Sequence, residues 1–583
     1  MKNGCANRTQ SRTCSSYTEV KPAIDEVNYK LRNMKILNKN KIYGLSLAAA
    51  MLLTVTGCID ETSPADGSVT EDQIVDAGLE SAVNGISTQM TQGYLVYGSN
   101  THESDMSYPM FMISFTQMMG DMYPGGSNSG YDWFRAYNCM NENMGTTGYY
   151  SYLPWRTLYM YVKSANDIIR AYKAMENPSK TDDNYVAMAY ACRAFDYYML
   201  MVTYEPKANI YTDCSKVLGL TVPIVTEETT EKESANNPRV SHDEMMEFII
   251  SDLDKAEEIF KATGYTTTTH TAPDLAVVYG LKAKAYLWDE NYEEAYNYAN
   301  LAIETAEKQG AEMMSKSELT NANTAFAMAT SGWMWYGHYS AENLNNLSNL
   351  AGMLSGEAEW GYSNLTQPII DRSLYDKMGV NDYRRKQFLD PNRKKGDYQT
   401  ARDEDFIANA PDYLALKFRC ASGDTKNYSV GAATDVPIMR LEEMYLIRAE
   451  AAGMSKTLYE GIDLLNNWVR TYRDPAYNKV VDNLRDMQLA VLDQMRIEFW
   501  GEGNAFPSAK RIQPGVMQYY QGTNAPANIY YINAEGMKPN WNYVIPNAEA
   551  QVNKAVKDQN NPDPTMCIDV STAQMGIYAP SNY

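Results

Sequence analysis

Histidine, cysteine and basic charge are all in short supply in this chain of 583 residues, and each shortage closes off a class of function. The four histidines, His102, His242, His270 and His338, are scattered, and no HExxH-like spacing puts two on one helix face, so no transition-metal site is expected. Beyond Cys58 the cysteines are Cys139, Cys192, Cys214, Cys420 and Cys567, an odd number at wide spacings without a CxxC. That pattern gives neither a disulfide framework nor a zinc site, and small core residues are the expected role. Lys and Arg number 51 against 72 Asp and Glu, a formal charge of −21 with no compensating basic patch, so a phosphate backbone is repelled and nucleic acid is excluded as a partner. No cofactor is called for. The apolar run from about Gly44 to Gly57 falls well short of the roughly 20 residues that a membrane-spanning helix needs.

That short run has another reading. Lys35, Lys39 and Lys41 after Met34 form a basic lead, the apolar stretch follows, and Val55-Thr-Gly-Cys58 resembles a bacterial lipobox. Residues 34–57 are therefore expected to be a lipoprotein signal, with Cys58 as the lipidated mature N-terminus and residues 1–33 as an extension outside the fold. Residues 1–57 carry nine Lys or Arg and three Asp or Glu, so their removal takes the formal charge from −21 to −27. The remaining 526 residues suffice for a well-buried core. Asp60 and Glu61, two and three residues after Cys58, resemble the acidic signal that sends Bacteroidetes lipoproteins to the outer face of the outer membrane.

What is abundant is aromatic and polar at once: 46 Tyr and 9 Trp, against 12 Phe. Such rings suit helix packing with a wet rim and equally suit stacking on sugars. Residues 63–91 are polar with short apolar runs, and residues 92–148, rich in Gly, Ser, Asn, Tyr and Met, read as long irregular loops. Helical patterns then follow at 155–175, 185–204, 242–263, 274–288 and 292–308, separated by breakers such as Asn177-Pro178. Ala283, Tyr286, Ala295 and Ala302 stand at offsets 0, +3, +12 and +19, those of the small and aromatic positions of a tetratricopeptide repeat. A weaker echo has Ala449, Gly461 at +12 and Trp468 at +19, with Ile438, Leu441, Tyr445, Ala449 and Ala452 as one apolar helical stripe. Between them, residues 321–435 turn to Gly, Asn, Ser and aromatics with a few short helical runs, and a loop-rich insert of that length is where function is expected.

Several segments, taken in order, resemble the SusD/RagB family of Bacteroidetes surface lipoproteins. Pro154-Trp-Arg-Thr-Leu-Tyr-Met-Tyr-Val-Lys-Ser-Ala-Asn166 is similar to its first repeat helix, and Ala191-Cys-Arg-Ala-Phe195-Asp-Tyr-Tyr-Met-Leu200 to the next. Asp435-Val-Pro-Ile-Met-Arg-Leu-Glu-Glu-Met-Tyr-Leu-Ile-Arg-Ala-Glu-Ala451 resembles its most recognisable stretch, Arg496-Ile-Glu-Phe-Trp-Gly-Glu-Gly503 a further signature, and Tyr543-Val-Ile-Pro546 with Glu549 and Asn553 its closing motif. Asn504-Ala-Phe506 and Glu205-Pro206 depart from the family pattern. The resemblance implies an all-α tetratricopeptide scaffold with irregular ligand-binding insertions, a single domain over 58–583 with repeats at about 63–310, the insert at about 321–435 and a C-terminal repeat and signature part at about 436–583. It further implies a lipid-anchored outer-membrane protein that binds a glycan without cutting it and delivers it to a SusC-like TonB-dependent transporter. A peptide-binding RagB-like member is the alternative, and an α/α-barrel glycosidase a more distant one.

Candidate ligand residues follow from stacking chemistry in loops. Trp360 and Tyr362 lie beside Gly361, and Trp333, Trp335 and Tyr336 lie in Ser331-Gly-Trp-Met-Trp-Tyr-Gly-His338, where the alternation equally fits a short strand at the core edge. Asp121, Tyr123, Tyr131 and Trp133 lie in a Gly-rich stretch. Trp155, Trp288, Trp468 and Trp500 are assigned to packing. Glu498 and Glu502, four apart, are the pair that a hydrolase reading would choose, and the family pattern makes them structural.

Overall fold

The computed structural model describes residues 78–92, 107–125, 144–339, 344, 349–394, 396–526 and 533–566. The chain divides into two units, 1–68 and 69–583, and every described residue belongs to the second. The leader, Cys58, Tyr131 and Trp133 lie outside the described residues.

The longer helices are α1 (Leu79–Gln89), α2 (Tyr108–Met118), α3 (Tyr149–Ala174), α4 (Lys180–Tyr204), α5 (His242–Thr263), α6 (Leu275–Trp288), α7 (Tyr292–Lys308), α8 (Leu441–Ser455), α9 (Leu458–Tyr472) and α10 (Leu484–Glu498). Their starts are set by short polar side chains that accept from orphan backbone N–H groups. Ser179 and Ser241 form capping boxes with Asp182 and Glu244, while Asp274, Asn291, Thr457 and Asn483 cap α6, α7, α9 and α10. Each helix packs on the next: α3 on α4, α4 on α5, α5 on α6, α6 on α7, α7 on α8 and α8 on α9. Residues 309–440 intervene between α7 and α8, so the insert is extruded from a continuous helical stack. This is the mostly helical, tetratricopeptide-like scaffold that the small-residue offsets predict.

The small residues act as expected. Ala283, Ala295 and Ala302 have no exposed surface between α6 and α7. At the echo, a Cβ on Gly461 of α9 would lie 2.5 Å from the Gly453 Cα of α8, so the two backbones touch where the repeat needs a small residue. Three differences from the sequence reading have physical causes. Residues 92–148 are not all loop: every residue of α2 is buried, and a helix buried all round carries no amphipathic period to read. Helix α3 begins at Tyr149 and runs through Pro154, six residues before the boundary that Trp155 marks. Ile438 is not on the α8 stripe but on a strand, since Pro437 interrupts the helix pattern before Leu441.

The insert is tied down by two short antiparallel pairs. Strand β1 (Met122–Pro124) pairs with β3 (Pro368–Ile370), Tyr123 opposite Ile369. Strand β2 (Trp333–His338) pairs with β4 (Asp435–Arg440), Trp333 opposite Arg440 and His338 opposite Asp435, with irregular register around Trp335. Because β4 runs directly into α8, the insert is anchored on the stack at both of its ends.

Candidate functional site

Residues 355–363 place Trp360 and Tyr362 on either side of a glycine turn in the insert. Glu357 is buried and accepts from Arg419 Nη1 at 2.5 Å and from the Ala401 N–H at 3.0 Å, which fixes the loop to its neighbours. Two residues on, Glu359 is half-exposed, accepts from the Thr425 hydroxyl at 2.9 Å and lies 3.8 Å from Arg402. Gly361 then turns at φ +68°, and a Cβ there would sit 2.6 Å from the Gly352 carbonyl oxygen, so the turn admits glycine alone. This turn sets Trp360 and Tyr362 on either side of a point pressed against the short helix Leu350–Leu354.

Trp360 is 7% exposed and packs with Ala351, Ala358, Cys420 and Ala432 in a cluster separate from the main core. Its indole N–H has no acceptor among the described residues. A Cβ on Gly431 would come within 2.4 Å of the Trp360 ring, so the short helix Tyr428–Gly431 is seated on the indole. That helix exposes Tyr428 and Val430, which the sequence reading missed. The available signal was Asn427, a turn residue that caps the helix with an acceptor for the Ser429 N–H, beside an aromatic in a polar loop. Trp360 is thus the buried base of the site, with half-buried Glu359 and Tyr362 beside it in the chain and exposed Tyr428 on the helix seated on its ring.

The other candidates are placed differently. Trp333 and Trp335 are buried on β2, where Trp335 meets Phe195 of α4 edge-on at 5.0 Å, so they belong to the core edge and offer no face to a ligand in this conformation. Tyr336, next along β2, is half-buried with its N–H donating to the His270 carbonyl at 2.9 Å. Asp121 and Tyr123 have no exposed surface. Asp121 accepts from Arg496 Nε at 3.1 and 3.2 Å, and its carbonyl accepts from the Trp500 indole at 2.7 Å. Tyr123 packs with Ile369 and Ala525. Both take part in holding β1 to β3: Tyr123 pairs with Ile369, and the Asp121 carbonyl accepts from the Asp371 N–H at 3.0 Å, while the Gly125 N–H donates to the Thr366 carbonyl at 2.7 Å. Next to them Asp371 is buried, and desolvation pushes its carboxyl up to about 6 against the lowering effect of the Ser373 hydroxyl. Trp155, Trp288, Trp468 and Trp500 are all buried.

Glu498 and Glu502 lie in a buried ionic network. Arg473 binds Glu498 through Nε at 2.8 Å and Nη2 at 2.9 Å, and Arg440 binds Glu502 through the same pair of atoms at 2.8 and 2.9 Å. Arg384 and Lys417 complete it from the insert, Lys417 Nζ lying 2.5 Å from Glu502. Burial pushes the Glu498 carboxyl up, but Arg473, Arg440 and Arg384 outweigh it and hold it well below the usual carboxylate range. A general acid needs the opposite shift, so this pair is structural. Among the described residues no group of His, Cys, Asp or Glu has the arrangement to hold a metal ion, and no helix is long and apolar enough to cross a membrane.

Comparison with known proteins agrees with this architecture. Residues 77–287 match a family described as starch-binding and associating with the outer membrane, and residues 288–563 match the SusD family. A SusD-like carbohydrate-binding protein from Bacteroides vulgatus superposes with a TM-score of 0.63 at 20% identity, over 83% of this chain and 98% of that one. Surface glycan-binding protein A from Bacteroides thetaiotaomicron, solved with laminarihexaose, gives a TM-score of 0.58 at 15% identity, over 83% and 99%. In sequence, SusD-like protein P38 of Formosa agariphila is 29% identical over 157 residues, a match that spans 27% of each chain.

Proposed function

The chain belongs to the SusD/RagB family of outer-membrane-associated proteins, and on that footing we propose that it captures an oligosaccharide at the cell surface and hands it to a SusC-like TonB-dependent transporter. The observation that carries the reading is the neighbourhood of Trp360: half-buried Tyr362 two residues on, exposed Tyr428 on the short helix seated on the buried indole, and Glu359, 3.8 Å from Arg402, to take hydroxyl groups. Rings stack on the C–H faces of sugars while fixed polar groups set orientation. Tyr336, Tyr131 and Trp133 are candidates for the same ligand face. The protein binds without cleaving, since its most suggestive carboxylate pair is committed to guanidinium partners. Cys58 carries the lipid that holds it to the outer membrane.

The test is a glycan array followed by calorimetric titration of the hits. Tyr362→Ala and Tyr428→Ala should each cost about 1 kcal/mol of affinity with little change in melting, by the size of aromatic pair energies. Trp468→Ala should leave affinity intact and cost about 3–5 kcal/mol of stability as a buried indole is removed. Unchanged affinity in both tyrosine variants would move the ligand face elsewhere. New reducing ends released by a clean preparation would replace capture by hydrolysis, and membrane retention of Cys58→Ala with labelled palmitate would refute the anchor.

A further inference from the structure

A second opening, a groove of about 630 Å³, runs along the N-terminal half of α3 between residues 223–237 and the C-terminal segment 548–553. Its size lies within the range of small-ligand sites. Tyr152, Trp155 and Tyr159 recur at spacings of three and four on α3 and so share the face that lines it, the Trp155 and Tyr159 rings lying 4.8 Å apart. The far wall is fixed, because the Asn553 side chain accepts from the Asn237 N–H at 3.0 Å and donates to its carbonyl at 2.6 Å.

The polar groups in this groove are underused. Arg156 is exposed, and its one hydrogen bond among the described residues goes to the Tyr152 hydroxyl at 3.3 Å, with no carboxylate partner. Glu231 is exposed, with no side-chain partner among the described residues, and Glu549 accepts a single long bond, from the Trp155 indole at 3.4 Å. A guanidinium bonded only to a tyrosine hydroxyl and two carboxylates without a cationic partner among the described residues therefore line one cavity with aromatic rings, beside Lys163, which Asp167 holds at 2.7 Å. We infer that this groove is a second binding site, independent of the surface around Trp360, for a neutral oligosaccharide. Each hydroxyl of such a ligand both donates and accepts, matching donors and acceptors of opposite charge, and each ring offers a C–H face to the aromatics. An anion would meet Glu231 and Glu549, and a cation would meet Arg156 and Lys163.

Titration of the full chain with malto-, cello- and laminarihexaose tests this. At least one should bind the wild type, and the double variant Tyr152→Ala/Arg156→Ala should weaken or remove one class of sites at least tenfold. The pair Tyr362→Ala/Tyr428→Ala should leave that class intact, so either site can fail without the other. Glu231→Ala, on an exposed four-residue helix, should weaken the same class at least threefold and serves if the double variant does not fold. Failure of all three hexaoses to bind, wild-type affinity and stoichiometry in the folded groove variants, or displacement of the bound sugar by a pool of short peptides at lower concentration would overturn the assignment.

Discussion

Asp196 sits inside α4 with no exposed surface and with neither carboxylate oxygen hydrogen-bonded among the described residues. Burial pushes its carboxyl well above the usual range, offset only in part by Arg193, whose guanidinium is engaged by Asp252 and Glu227. The folded state thus takes up a proton that the unfolded state lacks once pH exceeds the ordinary aspartate value near 4. Asp196→Asn removes this penalty, which grows by about 1.4 kcal/mol per pH unit above that value. Denaturant titration should show the variant more stable than wild type at pH 7, with the gap closing below about pH 4; an equal gap at both would refute it. His242 has the opposite consequence: Nε2 meets Asp289 at 3.0 Å and Nδ1 meets Glu205 at 3.1 Å, and these bonds raise it to about 9. Its contribution is complete below about pH 6.5 and is lost as pH rises through about 9, so wild-type melting should fall across that window more steeply than that of His242→Asn. Neither role can be read from sequence, because Asp196 depends on burial by packing helices and His242 on partners 37 and 47 residues away. The same holds for the site: pairing with β4 takes Trp333 into the main core and the helix Tyr428–Gly431 seals Trp360 into a separate cluster, and both partners lie far off in sequence.

Two glycines of helices predict opposite outcomes. Gly461→Ala gains about 1 kcal/mol of helix propensity but drives a Cβ into the Gly453 backbone, and overpacking costs about 1–3 kcal/mol, so the clash should win and melting should fall. Gly85, exposed within α1, has nothing within 4 Å of a Cβ, so Gly85→Ala keeps the propensity gain and should raise stability by up to about 1 kcal/mol. Thermal melts of both variants decide it, and shifts of the same sign would break the argument. Amphipathic helices such as α5 and α7 were legible because a polar face writes a 3.6-residue period into the sequence, and the Ala and Gly offsets were legible because close backbones tolerate little else. Helix α2 was not, since burial on all sides erases that period, and the β2–β4 pair was not, since its two strands lie about a hundred residues apart.

At the scale of the whole molecule, the question is what couples an extruded insert to the helical stack. The answer lies in the ionic network, because it joins the insert to the C-terminal part of the stack: Arg384 and Lys417 come from the insert, Arg440 from β4, Glu442 from α8, Arg473 from just beyond α9 and Glu498 from the end of α10. All are buried, so their charges are tolerable only together. Glu498→Gln keeps the shape and removes one negative charge from among Arg384, Arg440 and Arg473. Breaking a buried pair in this way costs about 3–5 kcal/mol, and denaturant titration at pH 7 should show a loss of that order. Since the Glu498 carboxyl is held below its ordinary range, its contribution is present above the unfolded glutamate value near 4.3 and is lost as pH falls through the depressed one. The gap between wild type and variant should therefore be widest near neutrality and narrow in acid. Oligosaccharide affinity, measured where both proteins are folded, should change little, because none of these groups reaches the surface. A variant as stable as wild type but unable to bind would place Glu498 in the ligand site and reverse the structural assignment of the pair.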